Sequence, residues 1–241
     1  MNSTNRKIFG VIGAMDVEIR QLVLAMENTT AETVAGLTFY RGKLGEHEII
    51  LVKSGIGKVN AARCTQQLID LRRPDYIINT GVAGGIGKGL SIGDLVIGTE
   101  LVQHDFDVSA LGYARGYLFL GDKSQPTVFR SDEALADAFH GTVCGMIPAE
   151  RVHRGRIATG DLFVSGAEAK ARIAKDFFAL AAEMEGCAIA QTAAANGVPF
   201  VVIRAISDLA DGTATASYET FEKETADLSA RALEACIRSF R

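Results

Sequence analysis

Pro199-Phe-Val-Val-Ile-Arg-Ala-Ile-Ser-Asp-Leu-Ala-Asp211 is the stretch on which the reading of this chain turns. Phe200, Val201, Val202, Ile203 and Ile206 form a short, β-branched apolar run, the pattern of a strand buried on both faces of a sheet. The run leads directly into Ser207 and Asp208. In open α/β sheets ligands are met at the carboxyl ends of strands. A carboxylic acid set there among apolar neighbours keeps its proton near neutral pH, because desolvation disfavours the charged form. Ser and Asp after a strand also suit the N-cap of a following helix. The segment alone favours the cap; a second carboxylate converging on the same spot reverses that preference.

That second carboxylate lies upstream. Ala181-Ala-Glu-Met-Glu-Gly-Cys-Ala-Ile-Ala190 sets Glu183 and Glu185 around Met184, just before a small-residue helix reaching about Ala195. At a strand end the two glutamates share a face; within a helix start they diverge. Acids in a helix's first turn also serve simply to complement its dipole.

Composition sets the frame. With 241 residues and 48% hydrophobic content, the chain builds a sizeable core as one domain spanning 1–241. A net charge of −4 without a basic cluster argues against nucleic acid as a partner. Cys64, Cys144, Cys187 and Cys236 lie far apart, which suits reduced, mostly buried thiols in a cytoplasmic protein. Met1–Lys7 is polar with no signal-peptide layout, and no apolar run approaches the ~20 residues that span a membrane.

Working outward from the opening stretch, strands and helices alternate. Ile8–Gly13 reads as a strand, followed by a helix from Glu18 to about Met26 whose first acid complements the dipole. Leu37–Lys43 and Glu48–Lys53 pair through a turn at Gly45, and a helix follows Gly57-Lys58 through about Leu71. A phosphate loop of the Walker type is excluded, because its first glycine and its Ser/Thr are replaced by Val52 and Val59. Tyr76–Thr80 is a buried strand running into Gly81-Val-Ala-Gly-Gly-Ile-Gly-Lys-Gly89, where dense glycines let backbone approach a ligand.

Gly93–Gln103 is strand-like, and the His104-Asp105 that follows reads as a hydrogen-bonded pair rather than a metal site. Residues 106–126, with Leu111, Tyr113, Tyr117, Phe119 and Leu120, form a long apolar loop of the kind used as a lid or interface arm. Beyond it come a helix over Asp132–Phe139, a strand over Val152–Ala158 and a helix over Ala167–Asp176. An amphipathic helix over 217–240 closes the chain. The alternation predicts a sheet covered on both faces.

Taken together, these strand-end segments resemble the 5′-methylthioadenosine/S-adenosylhomocysteine nucleosidases of the nucleoside phosphorylase superfamily. The likeness runs through Gly10-Val-Ile-Gly-Ala-Met15 with Glu18, Lys53-Ser-Gly-Ile-Gly-Lys58, Ile78-Asn-Thr-Gly81 and Ala83-Gly-Gly85. It continues through His104-Asp105 with Asp107-Val108, Gly160-Asp161 with Phe163, Glu183-Met-Glu185 and Arg204-Ala-Ile-Ser-Asp208.

The resemblance implies a three-layer α/β/α sandwich around a mixed, twisted sheet, a homodimer, and hydrolysis of the N-glycosidic bond of adenine nucleosides without cofactor or metal. It implies that Asp208 is the general acid at purine N7, oriented by Ser207, and that Glu18 activates water. Glu185 then holds the ribose hydroxyls and Met184 packs on the sugar, with Glu183 beside them. Phe163 stacks on adenine while the Val164 backbone reads its amine edge. Met15, Ile56, Val108 and Tyr218 line the ribose and 5′-substituent pocket, Ala83 and Gly84 flank base and sugar, and the 106–126 loop with Leu111 reaches the neighbouring subunit's pocket.

The chemistry asks for such a set. Adenine is a poor leaving anion, so a proton must arrive as the bond breaks; a positioned acid supplies ~10²–10⁴-fold. The sugar becomes oxocarbenium-like and is stabilised by nearby carboxylates. Asp208 is therefore expected protonated, Glu18 and Glu185 ionised. A phosphorolytic enzyme needs cationic clamps for phosphate; hexameric phosphorylases carry Arg three residues before a serine where this chain has Asn79 and Val82. Two departures bear on the 5′-substituent: Val82 where many relatives have a small polar residue, and Leu111 in place of an aromatic.

Overall fold

Ten strands run through the described residues, most of them where apolar runs are buried on both faces of the sheet. In the computed structural model, which describes residues 6–240, these are β1 (Ile8–Gly13), β2 (Glu27–Val34), β3 (Leu37–Leu44), β4 (His47–Lys53) and β5 (Tyr76–Gly85). They continue with β6 (Leu95–Gln103), β7 (Phe129–Arg130), β8 (Val152–Thr159), β9 (Ala179–Glu183) and β10 (Phe200–Asp208). The helices are α1 (Asp16–Ala25), α2 (Lys58–Arg72), α3 (Glu133–Cys144), α4 (Ala167–Phe177), α5 (Gly186–Ala195) and α6 (Ala214–Ser239). Most of the polar N-terminal lead lies outside the described residues.

All ten strands join one mixed sheet in the order β10-β6-β8-β9-β5-β1-β4-β3-β2, with β7 on the rim of β6. Odd and even positions of the central strands face opposite layers. Val11, Ile49, Leu51, Val201 and Ile203 pack with Ile19 and Leu22 of α1, Phe139 of α3 and Leu233 of α6. Ile12, Ile50, Val52, Phe200 and Val202 pack with Cys64 and Leu68 of α2 and Ile189 of α5. That is the expected α/β/α sandwich. Among the described residues no helix is long and apolar enough to cross a membrane.

One half of the sheet also closes on itself. Strand β10 pairs with both β5 and β6, while β8 joins β6 to β9 and β9 returns to β5, completing a ring. The glycines of β5 make the closure possible. Its first half, Tyr76–Asn79, lies beside β1 (Phe9–Ile12), and beyond that point Gly84 and Gly85 pair instead with Ala182 and Ala181 of β9. The strand read over Tyr76–Thr80 thus runs on through the first of the glycines to Gly85. A Cβ at Gly84 would stand 3.0 Å from Asp208 Oδ1, and one at Gly81 2.8 Å from the Glu18 carboxyl carbon. Close approach, rather than turn geometry, is what excludes side chains there. Helix α4 covers the ring through Ile173 and Phe177, which pack on Val102, Ala158 and Ala182.

Other boundaries also shift. Helix α1 begins at Asp16, so Glu18 sits in its first turn as the third helical residue. Helix α3 runs on to Cys144 behind an Asp132 cap, and α6 begins at Ala214. Strand β2 escapes the sequence reading altogether, and β9 entered it only as one of two options at Glu183. The first is almost wholly exposed and polar, and exists because β3 supplies its pairing; the second, Ala-Leu-Ala-Ala-Glu, carries no β-branched residue. The cysteines are free, with Cys64, Cys187 and Cys236 buried and Cys144 half-buried.

Candidate active site

Strand β10 delivers two polar side chains into the sheet's interior. Its apolar residues anchor both faces as far as Ile206, where a register shift against β5 precedes Asp208. Asp208 therefore ends the strand and does not cap α6, which starts well beyond it. Its Oδ1 accepts from Ala210 N at 2.8 Å, across a turn in which Ala210 adopts a φ of +50°. Ser207 Oγ donates to Asp208 Oδ2 at 3.0 Å and holds the carboxyl in place. Burial pushes the Asp208 pKa up, against the pull of these two hydrogen bonds.

Glu18 reaches the same space from α1. One of its oxygens accepts from Ala14 N at 2.6 Å and Met15 N at 3.0 Å, the other from Val82 N at 3.2 Å. Burial raises its pKa in spite of Arg204 and these three amides. Glu185, the residue that opens α5, accepts from Gly57 N at 2.8 Å. Burial and the charge of Glu183 raise its pKa to about 8, while Arg204 opposes them. For Glu185 this runs against the expected ionised side chain, while Glu18 is shifted in the same direction. Several carboxyls buried in one place around one cation hold protons to higher pH, because the apolar surroundings disfavour a second and third negative charge.

That cation is Arg204, fully buried on β10. Its Nη2 donates to Asn79 Oδ1 and Glu183 Oε2, each at 2.5 Å, and stands 3.8 Å from Glu185 Oε2. Burial works to lower its pKa and is outweighed by Glu183, Glu18 and Glu185, so the net shift is upward. Glu183 borders the cavity but spends both oxygens on the protein: on Thr159 Oγ1, on Arg204, and on the Glu185 and Gly186 amides at 3.0 and 2.7 Å. It fixes the start of α5 and the guanidinium together. Sequence reasoning missed the part played by Arg204, Asn79, Thr159 and Gly57. The signal for Arg204 was a charged residue inside an otherwise apolar strand, which demands a buried partner.

Between these groups lies a cavity of about 350 Å³. Its wall comprises Ala14, Met15, Glu18, Ile56, Val82, Ala83, Gly84, Phe163, Ala182, Glu183, Met184, Glu185, Ser207, Asp208 and Tyr218. Phe163 and Tyr218 meet edge to face with ring centroids 5.6 Å apart, and the Tyr218 hydroxyl donates to Glu222 at 2.6 Å. Three expected residues do not border it. The Val164 side chain packs into the cluster beneath α4, which leaves only its main chain for the expected role. Val108 and Leu111 belong to the 106–126 loop, where Leu111 is 70% exposed. The His104-Asp105 pairing is also corrected: Asp105 bonds Lys58 and the Asp161 amide, and among the described residues His104 Nε2 has no partner.

Fold and cavity together define a class, the phosphorylase superfamily, whose family model matches residues 8–240. The 5′-methylthioadenosine/S-adenosylhomocysteine nucleosidase of Actinobacillus succinogenes is 43% identical over 216 residues, covering 88% of this chain and 90% of its own. The S-adenosylhomocysteine nucleosidase of Streptococcus pyogenes, solved with 5-methylthiotubericidin, superposes with a TM-score of 0.92 at 36% identity over 100% of both chains. The corresponding nucleosidase of Neisseria meningitidis, solved with methylthio-immucillin-A, gives 0.91 at 43% identity over 97% of this chain and 100% of that one. The chain belongs to this superfamily and, within it, to the 5′-methylthioadenosine/S-adenosylhomocysteine nucleosidases.

Proposed function

We propose that this chain hydrolyses the N-glycosidic bond of adenine nucleosides bearing a 5′-thio substituent, 5′-methylthioadenosine and S-adenosylhomocysteine, to adenine and the 5′-thio-ribose. The observation that carries the reading is the character of the cavity wall. Its only ionisable carboxyls are Glu18, Glu183, Glu185 and Asp208, no Lys or Arg borders it among the described residues, and the rest is largely apolar. Phosphate would meet acids and no clamp, so water is the nucleophile.

Asp208, whose pKa burial raises, passes a proton to purine N7 as the bond from N9 to C1′ lengthens. Positive charge gathers on the sugar, where Glu18, ionised for this step, stabilises it. Water adds at C1′ and Glu18 takes its proton. Glu185 holds the ribose hydroxyls, Met184 packs on the sugar, and Phe163 lies against the adenine with the Val164 main chain at its amine edge. Met15, Ile56 and Tyr218 give the 5′-thio group an apolar seat, as a group without strong hydrogen-bonding capacity requires.

The exposed Leu111, Phe119 and Leu120 support a homodimer in which the 106–126 loop covers the partner's cavity, bringing Val108 and Leu111 to bear. Reduced cysteines suit a cytoplasmic location, and the reaction places the protein in methionine salvage. The test is adenine release from 5′-methylthioadenosine in phosphate-free buffer. Wild type releases adenine with free 5-methylthioribose, and Asp208→Asn lowers turnover by about 10²–10⁴-fold with folding retained. A requirement for phosphate with a sugar 1-phosphate product, or full activity of the variant, would overturn the reading.

A further inference from the structure

The start of α2 ties together three loops that the sheet keeps far apart. Strand β4, which leads into it, is separated from β8 by β1, β5 and β9. Yet Lys58 Nζ donates to Asp105 Oδ1 at 2.6 Å and Gln103 Oε1 at 3.2 Å, both at the end of β6. The Lys58 amide donates to Asp161 Oδ1 at 2.8 Å, just beyond β8, and the Asp161 amide closes the circuit on Asp105 Oδ2 at 2.8 Å. The adjoining Gly57 amide meets Glu185 at 2.8 Å. A Cβ at Gly57 would stand 3.0 Å from Asp161 Oδ1, so glycine is what lets the two loops close this tightly.

The consequence lies at the cavity mouth. Ile56, two residues before Lys58, and Phe163, two residues after Asp161, both line the cavity. We propose that Lys58 is a positioning residue: with Asp105 and Asp161 it sets the separation between the aromatic face that takes the base and the Gly57–Glu185 pair that takes the sugar. The inference rests on the nucleosidase reading above. Stacking and ribose contacts of this kind form in the ground state and the transition state alike, so loosening them weakens KM and spares kcat. The ion pair is partly solvated, with side-chain exposures of 18% for Lys58 and 26% for Asp105, and such pairs contribute little to global stability. A merely structural role would therefore leave KM unmoved.

The experiment compares wild type, Lys58→Met, Lys58→Arg, Asp105→Asn and the Lys58→Met/Asp105→Asn double variant, with 5′-methylthioadenosine as substrate. Lys58→Met keeps the length of the stem and removes the cation. It raises KM about tenfold with kcat within about threefold and an unchanged thermal midpoint, the signature of lost uniform binding. Asp105→Asn does the same, the double variant goes no further, and Lys58→Arg recovers most of the loss. If Lys58→Met does not fold, Asp161→Ala, at a half-exposed position, is held to the same criterion. A folded variant with wild-type KM, or one that loses kcat in equal measure, overturns the positioning role while leaving the hydrolysis intact. Wild type that releases no adenine overturns both.

Discussion

Glu185 carries the clearest pH signature of any single residue. Its carboxyl titrates at about 8 in the fold, against an ordinary 4.5. Between those values the folded chain binds a proton that the unfolded chain has lost, so stability falls as pH rises through the window. The expected outcome is a thermal midpoint that declines from about pH 5 to about pH 8 in wild type and declines less in Glu185→Gln, where nothing ionises. Parallel profiles would refute the assignment. Glu18, Asp208 and Glu185 were picked out in the sequence through the family resemblance, since each acid taken alone suits a helix cap or a helix dipole equally well. The upward shifts of Glu18 and Glu185 were not legible, since they depend on how many carboxyls share one guanidinium. Arg204 was hidden for the same reason: its partners Asn79 and Glu183 come from β5 and β9, and only the closed sheet brings them within reach.

At the scale of elements, β10 and β5 carry the site, and Arg204 locks them to β9. Replacing it by Met leaves Glu183 and Glu185 buried without their cation. Breaking a buried pair in this way costs about 3–5 kcal/mol. Urea unfolding at neutral pH should report a loss of that size for Arg204→Met, and a loss under about 1 kcal/mol would show that the acids simply take up protons instead. Elements with strong patterns, such as β1, β4, β10 and α6, could be read from apolar periodicity. Strand β9 could not, because alanines hold no preference that outweighs their surroundings, and the glycines of β5 imitate a loop until β9 and Asp208 are seen pressed against them.

For the whole molecule, the proposed dimer makes the 106–126 loop the segment to test. Tyr113, Tyr117 and Phe119 gather into a cluster with ring centroids 5.4 Å apart, so the loop has an ordered spine, while Leu111 stands out into solvent. If a second copy covers it, Leu111→Glu shifts sedimentation from dimer toward monomer and weakens the KM for 5′-methylthioadenosine. A variant that stays dimeric with unchanged KM would remove the loop from the interface. The likeness of the chain to its family was readable from sequence; a contact between subunits is a property of two chains and is written in neither alone.

The opposite border of the sheet has its own practical value. The hairpin joining β2 to β3 turns at Ala35 and Gly36, whose φ angles are +49° and +79°, and nothing lies within 4 Å of where a Gly36 side chain would begin. Its outer strand is charged and interrupted by a bulge near Asn28, features that keep foreign strands from docking along a sheet border. This tip, separated from the strand of Asp208 by β3, β4, β1 and β5, offers a handle for grafting an epitope, a dye or a surface tether while the chemistry continues undisturbed.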